Sequence, residues 1–88
     1  MLLLPESLTA REARDTLRLL RVALEREGGE RLLVDAMPLQ RFDSSALAVL
    51  LECRRLAQAW GKRFELRHPP TALLRLARLY GVEQLITG

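Results

Sequence analysis

One cysteine, one histidine and one lysine are present in the 88 residues: Cys53, His68 and Lys62. A lone cysteine rules out an internal disulfide, and a reducing compartment fits that usage. There is no C-x-x-C and no H-x-x-x-H, so no standard zinc site can be assembled from adjacent ligands. Cys53 falls inside a predicted helix and reads as a small core residue. His68 is followed by Pro69 and Pro70, which marks it as a turn residue rather than a general base. No glycine-rich phosphate loop is visible. Gly28-Gly29 precedes a strand, not a helix, and lacks the accompanying lysine. Aromatic residues are scarce and none is interleaved among the basic ones, which weighs against a nucleic-acid surface. No apolar run approaches the roughly 18–20 residues needed to cross a bilayer. Met1-Leu2-Leu3-Leu4 is stopped by Pro5 and has no basic segment before it, too little for a signal peptide. The expectation is a cytoplasmic, non-enzymatic protein with no cofactor and no metal.

What remains is an ordinary globular composition, 49% hydrophobic and 28% charged, in a length that suits one small domain spanning residues 1–88. The net charge is +3 and nearly all the positive charge is arginine, spread along the chain. That is the pattern of a solvated surface, or of a surface that meets an acidic partner. No internal repeat, low-complexity tract or linker is present.

The periodicity predicts alternating helices and strands. Thr9-Ala10-Arg11-Glu12 has the T-x-x-E spacing of a capping box. Ala13, Leu17, Leu20 and Leu24 follow as a core stripe, with Arg14, Arg18, Arg21 and Glu25 opposite and Gly28-Gly29 as the stop. Arg31 to Asp35 reads as a short buried strand, and Met37 to Phe42 as a loop. A second helix is predicted from Ser45 to Trp60, with Ala46, Val49, Leu50, Cys53, Ala57 and Trp60 on one face and Gly61 as its stop. Lys62 to Arg67 alternates as a second strand. Pro69 or Pro70 suits the first position of a third helix, which presents Leu73, Leu76, Ala77 and Tyr80 to the core and ends at Gly81. Val82 to Ile86 is a last short element of either kind, and Met1 to Leu4 can supply an edge strand. The order implies an α/β fold, a sheet covered by helices with at least one parallel pair.

The most informative segment is Asp43-Ser44-Ser45, between the first clear strand and the second helix. Three readings are open on spacing alone. Asp43 or Ser44 can cap the helix. The free N–H groups and the helix dipole can hold an anion. Or Ser45 or Ser44 can accept a phosphate, which a helix N-terminus tolerates. Leu47 and Leu51 fall on the side of the helix away from its core stripe, with Arg54, Arg55 and Gln58 near them. An apolar pair ringed by arginines beside two hydroxyls suits a protein-binding patch. The same two leucines can instead pack beneath a neighbouring element.

Leu33-Val34-Asp35, followed by Phe42-Asp43-Ser44-Ser45-Ala46-Leu47-Ala48-Val49-Leu50-Leu51, resembles the signature of the STAS domain. That family includes bacterial anti-sigma factor antagonists and the MlaB-type subunits of Mla phospholipid transporters. The resemblance runs from about Leu4 to Ile86, and Leu76-Ala77-Arg78-Leu79-Tyr80-Gly81-Val82 looks like the last helix of MlaB-type chains. Two positions depart from the family pattern: Ala46 and Glu6 stand where glycine is usual.

The resemblance implies a mixed β-sheet packed against helices; as a further departure, the short stretch before Pro5 leaves the first strand reduced or missing. It also implies a non-enzymatic subunit that binds the ATPase of a phospholipid ABC transporter and supports outer-membrane lipid asymmetry. Such a protein would be cytoplasmic and held at the inner membrane by its partner. Asp43, Ser44, Ser45, Leu47, Leu51, Arg54 and Arg55 would form the contact, with Ser44 as the hydroxyl facing the ATPase. The second implication is an anti-sigma factor antagonist that binds a serine kinase and is switched by phosphorylation of Ser45. A third is a nucleotide-binding module with the phosphate at Ser44-Ser45. None of the three involves nucleic acid or membrane insertion.

Overall fold

The computed structural model describes residues 1–26 and 28–87. In chain order the elements are β1 (Leu2–Leu3), β2 (Ser7–Leu8), α1 (Ala10–Arg26), β3 (Arg31–Asp35), β4 (Arg41–Phe42), α2 (Ser44–Ala59), β5 (Arg63–Arg67), α3 (Thr71–Leu79) and α4 (Glu83–Thr87). The helix-and-sheet alternation legible in the sequence is the fold. Strands β1, β3 and β5 form one sheet in that order, and β2 pairs with β4 in a second, two-residue ladder.

Every one of these pairings is parallel, which corrects the expected mixed sheet. The reason lies in the connections. A helix separates each pair of bonded strands, α1 between β1 and β3 and again between β2 and β4, and α2 between β3 and β5. A strand that leaves through a helix crossover returns running the same way, whereas antiparallel pairing needs only a hairpin. The first strand is present but reduced to two residues.

Register decides which side chains enter the core. Leu32 lies opposite Phe64, and Val34 lies between Leu2 and Leu66. Alternation turns these residues to the helix-covered face, where Leu32 and Val34 are fully buried. Arg31, Leu33 and Asp35 turn the other way, opposite Arg63, Glu65 and Arg67. Arg31 Nη1 bonds Glu65 Oε2 at 3.1 Å across the two strands on that side. The core joins Leu20 and Leu24 of α1, Val49, Leu50 and Cys53 of α2, Leu73 and Ala77 of α3, and Ile86 of α4.

The predicted capping box forms. The Thr9 N–H donates to Glu12 Oε1 at 2.8 Å, and the Arg11 N–H donates to Thr9 Oγ1 at 3.3 Å. Ala13 and Leu17 only flank the core, while Thr16 joins the buried stripe. Segment Met37 to Phe42 is not wholly loop. Arg41 and Phe42 pair with Ser7 and Leu8, and the Gln40 and Arg41 N–H groups both donate to Glu6 O. A two-residue strand is too short to leave an alternation signal.

Two core expectations fail for a shared reason. Trp60 and Tyr80 are the C-caps of α2 and α3, with φ,ψ of −91°, 6° and −88°, 0°. The chain leaves helical geometry there, so the 3.6-residue period no longer predicts direction, and both rings are more than half exposed. Gly61 and Gly81 follow them at φ +71°, a left-handed turn that glycine adopts without strain. Pro70 sits one residue earlier than expected. It is the cap before α3, with φ,ψ of −60°, 145°, and Thr71 opens the helix. The undecided element after Gly81 is the short helix α4.

Candidate functional site

Helix α2 connects two parallel strands, so it runs back along the sheet. Its first turn lies at the end of the molecule where β3 finishes in Asp35, and its last turn lies near the start of β5. Asp43 is the cap, in extended conformation, and its Oδ1 accepts the Ser45 N–H at 2.8 Å. The Ala46 N–H donates to Asp43 O at 3.0 Å and closes the first turn. Capping is thus the work of the acid, and neither serine hydroxyl is consumed by it.

Ser44 is the first helical residue and is exposed; Ser45 is half-buried. Among the described residues neither hydroxyl has a hydrogen-bond partner. Both are hydroxyl donors and acceptors with unspent capacity, held beside one carboxylate at a rigid helix start.

Leu47 does not belong to an outer face. It is 4% exposed and lies within the core. Helix α2 packs against α1, β5 and α4, so its covered arc is wider than the one stripe read from the sequence. A helix covered on several sides buries residues flanking its core stripe as well. Leu51 is half-buried and rests against the core, contributing only its outer edge to the surface. Ala48, which sequence reasoning passed over, is exposed in the position once given to Leu47. Ser44, Ala48, Leu51 and Arg55 follow one another by four, three and four residues, a stripe on one face of the helix.

The two arginines separate. The Arg55 Nη2 donates to Glu52 Oε2 at 3.0 Å, holding the Glu52 carboxyl below its usual range and raising the guanidinium further. Arg54 is half-buried and faces a groove with Lys62 and Arg63 near the other end of the helix. At the roughly 1.5 Å rise per helical residue, it stands about 15 Å along the axis from Ser44. The structure therefore brings together Asp43, Ser44 and Ser45, continues them with Ala48, Leu51 and Arg55, and leaves Leu47 and Arg54 outside.

Sequence reasoning also left out the neighbouring strand ends. Asp35 Oδ1 accepts the Met37 N–H at 2.9 Å and lies 3.1 Å from His68 Nδ1. The Met37 amide, and next the His68 ring, hold the Asp35 carboxyl below its usual range. His68 itself takes φ 53°, unusual for a residue with a side chain. Met37 is exposed on the loop after β3. Position in a parallel sheet, not any local motif, brings these residues to the end where α2 begins.

Cys53 is fully buried, and burial pushes its thiol up to about 12, away from nucleophile chemistry. Among the described residues no three metal-ligating side chains converge, and no helix is long and apolar enough to cross a membrane.

No curated protein matches the chain. The family model described as "Mlab, STAS domain" matches residues 1–87, nearly the whole length. On that match the chain belongs to the MlaB-like STAS domain family.

Proposed function

We propose that this chain is a non-enzymatic assembly or regulatory subunit that docks on the ATPase of a phospholipid ABC transporter of the Mla type. STAS domains in general act as interaction modules rather than catalysts. The reading adds the partner, the surface and a role in outer-membrane lipid asymmetry. It puts the protein on the cytoplasmic side of the inner membrane, held there through the ATPase.

The observation that carries the reading is the exposed Ser44 hydroxyl, without a hydrogen-bond partner among the described residues and set by the Asp43 cap at the head of the Ser44–Ala48–Leu51–Arg55 stripe. Ala48 permits close approach, the edge of Leu51 supplies a small apolar centre, and the Arg55–Glu52 pair forms a polar rim. A hydroxyl beside such a centre is worth most once water is excluded around it.

Ser44→Arg is the direct test. The side chain is exposed, so the domain should keep its circular dichroism spectrum and melting temperature. Co-purification with the ATPase should fall by about tenfold or more, because a bulky charge is desolvated where a hydroxyl stood. Normal yield of the complex would sink this surface.

The anti-sigma factor antagonist reading has one observation in its favour: the Ser45 hydroxyl also has no partner among the described residues, at a helix start that stabilises added negative charge. Its half-buried position disfavours kinase access relative to Ser44. Phosphate on Ser45 in cells, with release of a kinase partner by Ser45→Asp, would turn the assignment that way.

A further inference from the structure

The outer side of β5 is an unfinished sheet edge. The Arg63 N–H donates to Glu30 O, and the Ala36 N–H donates to Arg67 O. In a parallel ladder one residue directs both its N–H and its C=O to the same neighbour, and the next residue directs both away. Arg63, Glu65 and Arg67 therefore spend their backbone groups on β3, and Phe64 and Leu66 aim theirs outward. Among the described residues no strand lies on that side, and those outward groups have no partner.

That edge opens onto two joined grooves, of about 710 and 410 Å³, which share Arg63, Phe64 and Thr87. Helix α4 forms part of the wall through Gln84 and Leu85. Among the described residues the larger groove is lined by the cations Arg54 and Arg63, together with Lys62, and by no acid. Among the described residues neither Arg54 nor Arg63 has an ion pair. Among the described residues that line the smaller groove the acid is Glu65, held by Arg31 at 3.1 Å.

We propose that this edge captures an extended, acidic segment of a partner protein, which adds beside β5 as a further strand. The outward N–H and C=O groups of Phe64 and Leu66 would bond its backbone, and Arg54 and Arg63 would meet its carboxylates. Exposed edge strands are templates for this kind of addition, with side-chain pockets giving specificity. A flat anionic membrane fits less well, since the cations line a concavity. The site is separate from the Ser44 end of α2 and stands or falls independently of the transporter reading.

The test uses the isotope-labelled full chain and a ten-residue peptide alternating Glu and Val. A Lys–Val peptide, inorganic phosphate and phosphatidylglycerol vesicles serve as the other arms. Binding of the acidic peptide should slow hydrogen exchange of the Phe64 and Leu66 amides by about tenfold or more. Arg54→Glu with Arg63→Glu should weaken that binding by about tenfold at low salt, where exposed charges are least screened. Arg14→Glu on α1 and Ser44→Arg should leave it unchanged. Unaltered exchange at the two amides under saturating peptide overturns strand addition. So does equal binding of the Lys–Val peptide, or equal weakening by Arg14→Glu. Vesicles or phosphate retained through Arg54 and Arg63, with the acidic peptide not bound, would replace the partner segment by an anionic headgroup or a free anion.

Discussion

Replacement of Leu47 by alanine separates packing from docking more cleanly than any other change in α2. The side chain is 4% exposed and surrounded by the core. Leu→Ala removes three carbons, and at about 0.8 kcal/mol per buried carbon the transfer cost is about 2.4 kcal/mol. Incomplete collapse of the resulting cavity adds to this, and measured Leu→Ala costs span about 2–5 kcal/mol. A value of about 3 kcal/mol is expected. At about 0.05–0.15 kcal/mol per residue, a domain of this length has about 4–13 kcal/mol of stability in all. The variant should therefore be visibly marginal.

Urea unfolding followed by far-ultraviolet circular dichroism measures the effect. Tryptophan fluorescence is a poorer probe because Trp60 is already more than half exposed in the folded state. With a slope of about 1–3 kcal/mol per molar urea, the midpoint should fall by about 1–3 M at unchanged slope. Ala48→Ser, one residue on but solvent-facing, should shift stability by less than about 0.5 kcal/mol. If Leu47→Ala cost less than about 1 kcal/mol while abolishing partner binding, the placement of Leu47 in the core would be refuted and the outer-face reading restored.

Acid should act through the α1 capping box. Hydrogen bonds from the Thr9 amide, and next the Thr9 hydroxyl, lower the Glu12 carboxyl below its ordinary 4.5. The ionised form is thus favoured by folding, and its stabilisation is complete above pH 4.5 and lost as pH falls through the lowered native value. The advantage of wild type over Glu12→Gln in urea titrations should accordingly shrink below pH 4.5; an advantage that grew there would reverse the sign of the argument. The Cys53 thiol, buried and pushed up to about 12, should resist a thiol reagent at neutral pH until the chain opens. Its labelling rate should rise with urea in step with global unfolding, and fast labelling in native buffer would contradict its burial.

Much of the architecture was legible because it rests on local chemistry. Thr9 and Glu12 announced α1, Gly61 and Gly81 marked the ends of α2 and α3, and Leu32 and Val34 identified the central strand. Two of the errors show where local chemistry stops. Trp60 and Tyr80 were assigned to the core by extending a helical period one residue beyond the helix itself. Arg41 and Phe42 were read as loop because a pairing with Ser7 and Leu8, more than thirty residues away, leaves no local trace.

The Asp43-Ser44-Ser45 site divides along the same line. An acid followed by two hydroxyls at a helix start is a sequence property, since capping depends only on neighbours along the chain. The sequence alone determined the three longer helices, the two five-residue strands, their order, the family resemblance and the candidacy of these three residues. Which of them caps, which hydroxyl stays exposed, and which side of α2 remains open were decided only by tertiary structure. Burial is a property of all the elements that pack on a helix at once, and Leu47 was claimed by neighbours its own periodicity does not encode. The parallel sheet, the unspent edge of β5 and the gathering of Arg54 with Arg63 have the same origin. Each joins residues through a register or a helix contact that no stretch of sequence contains.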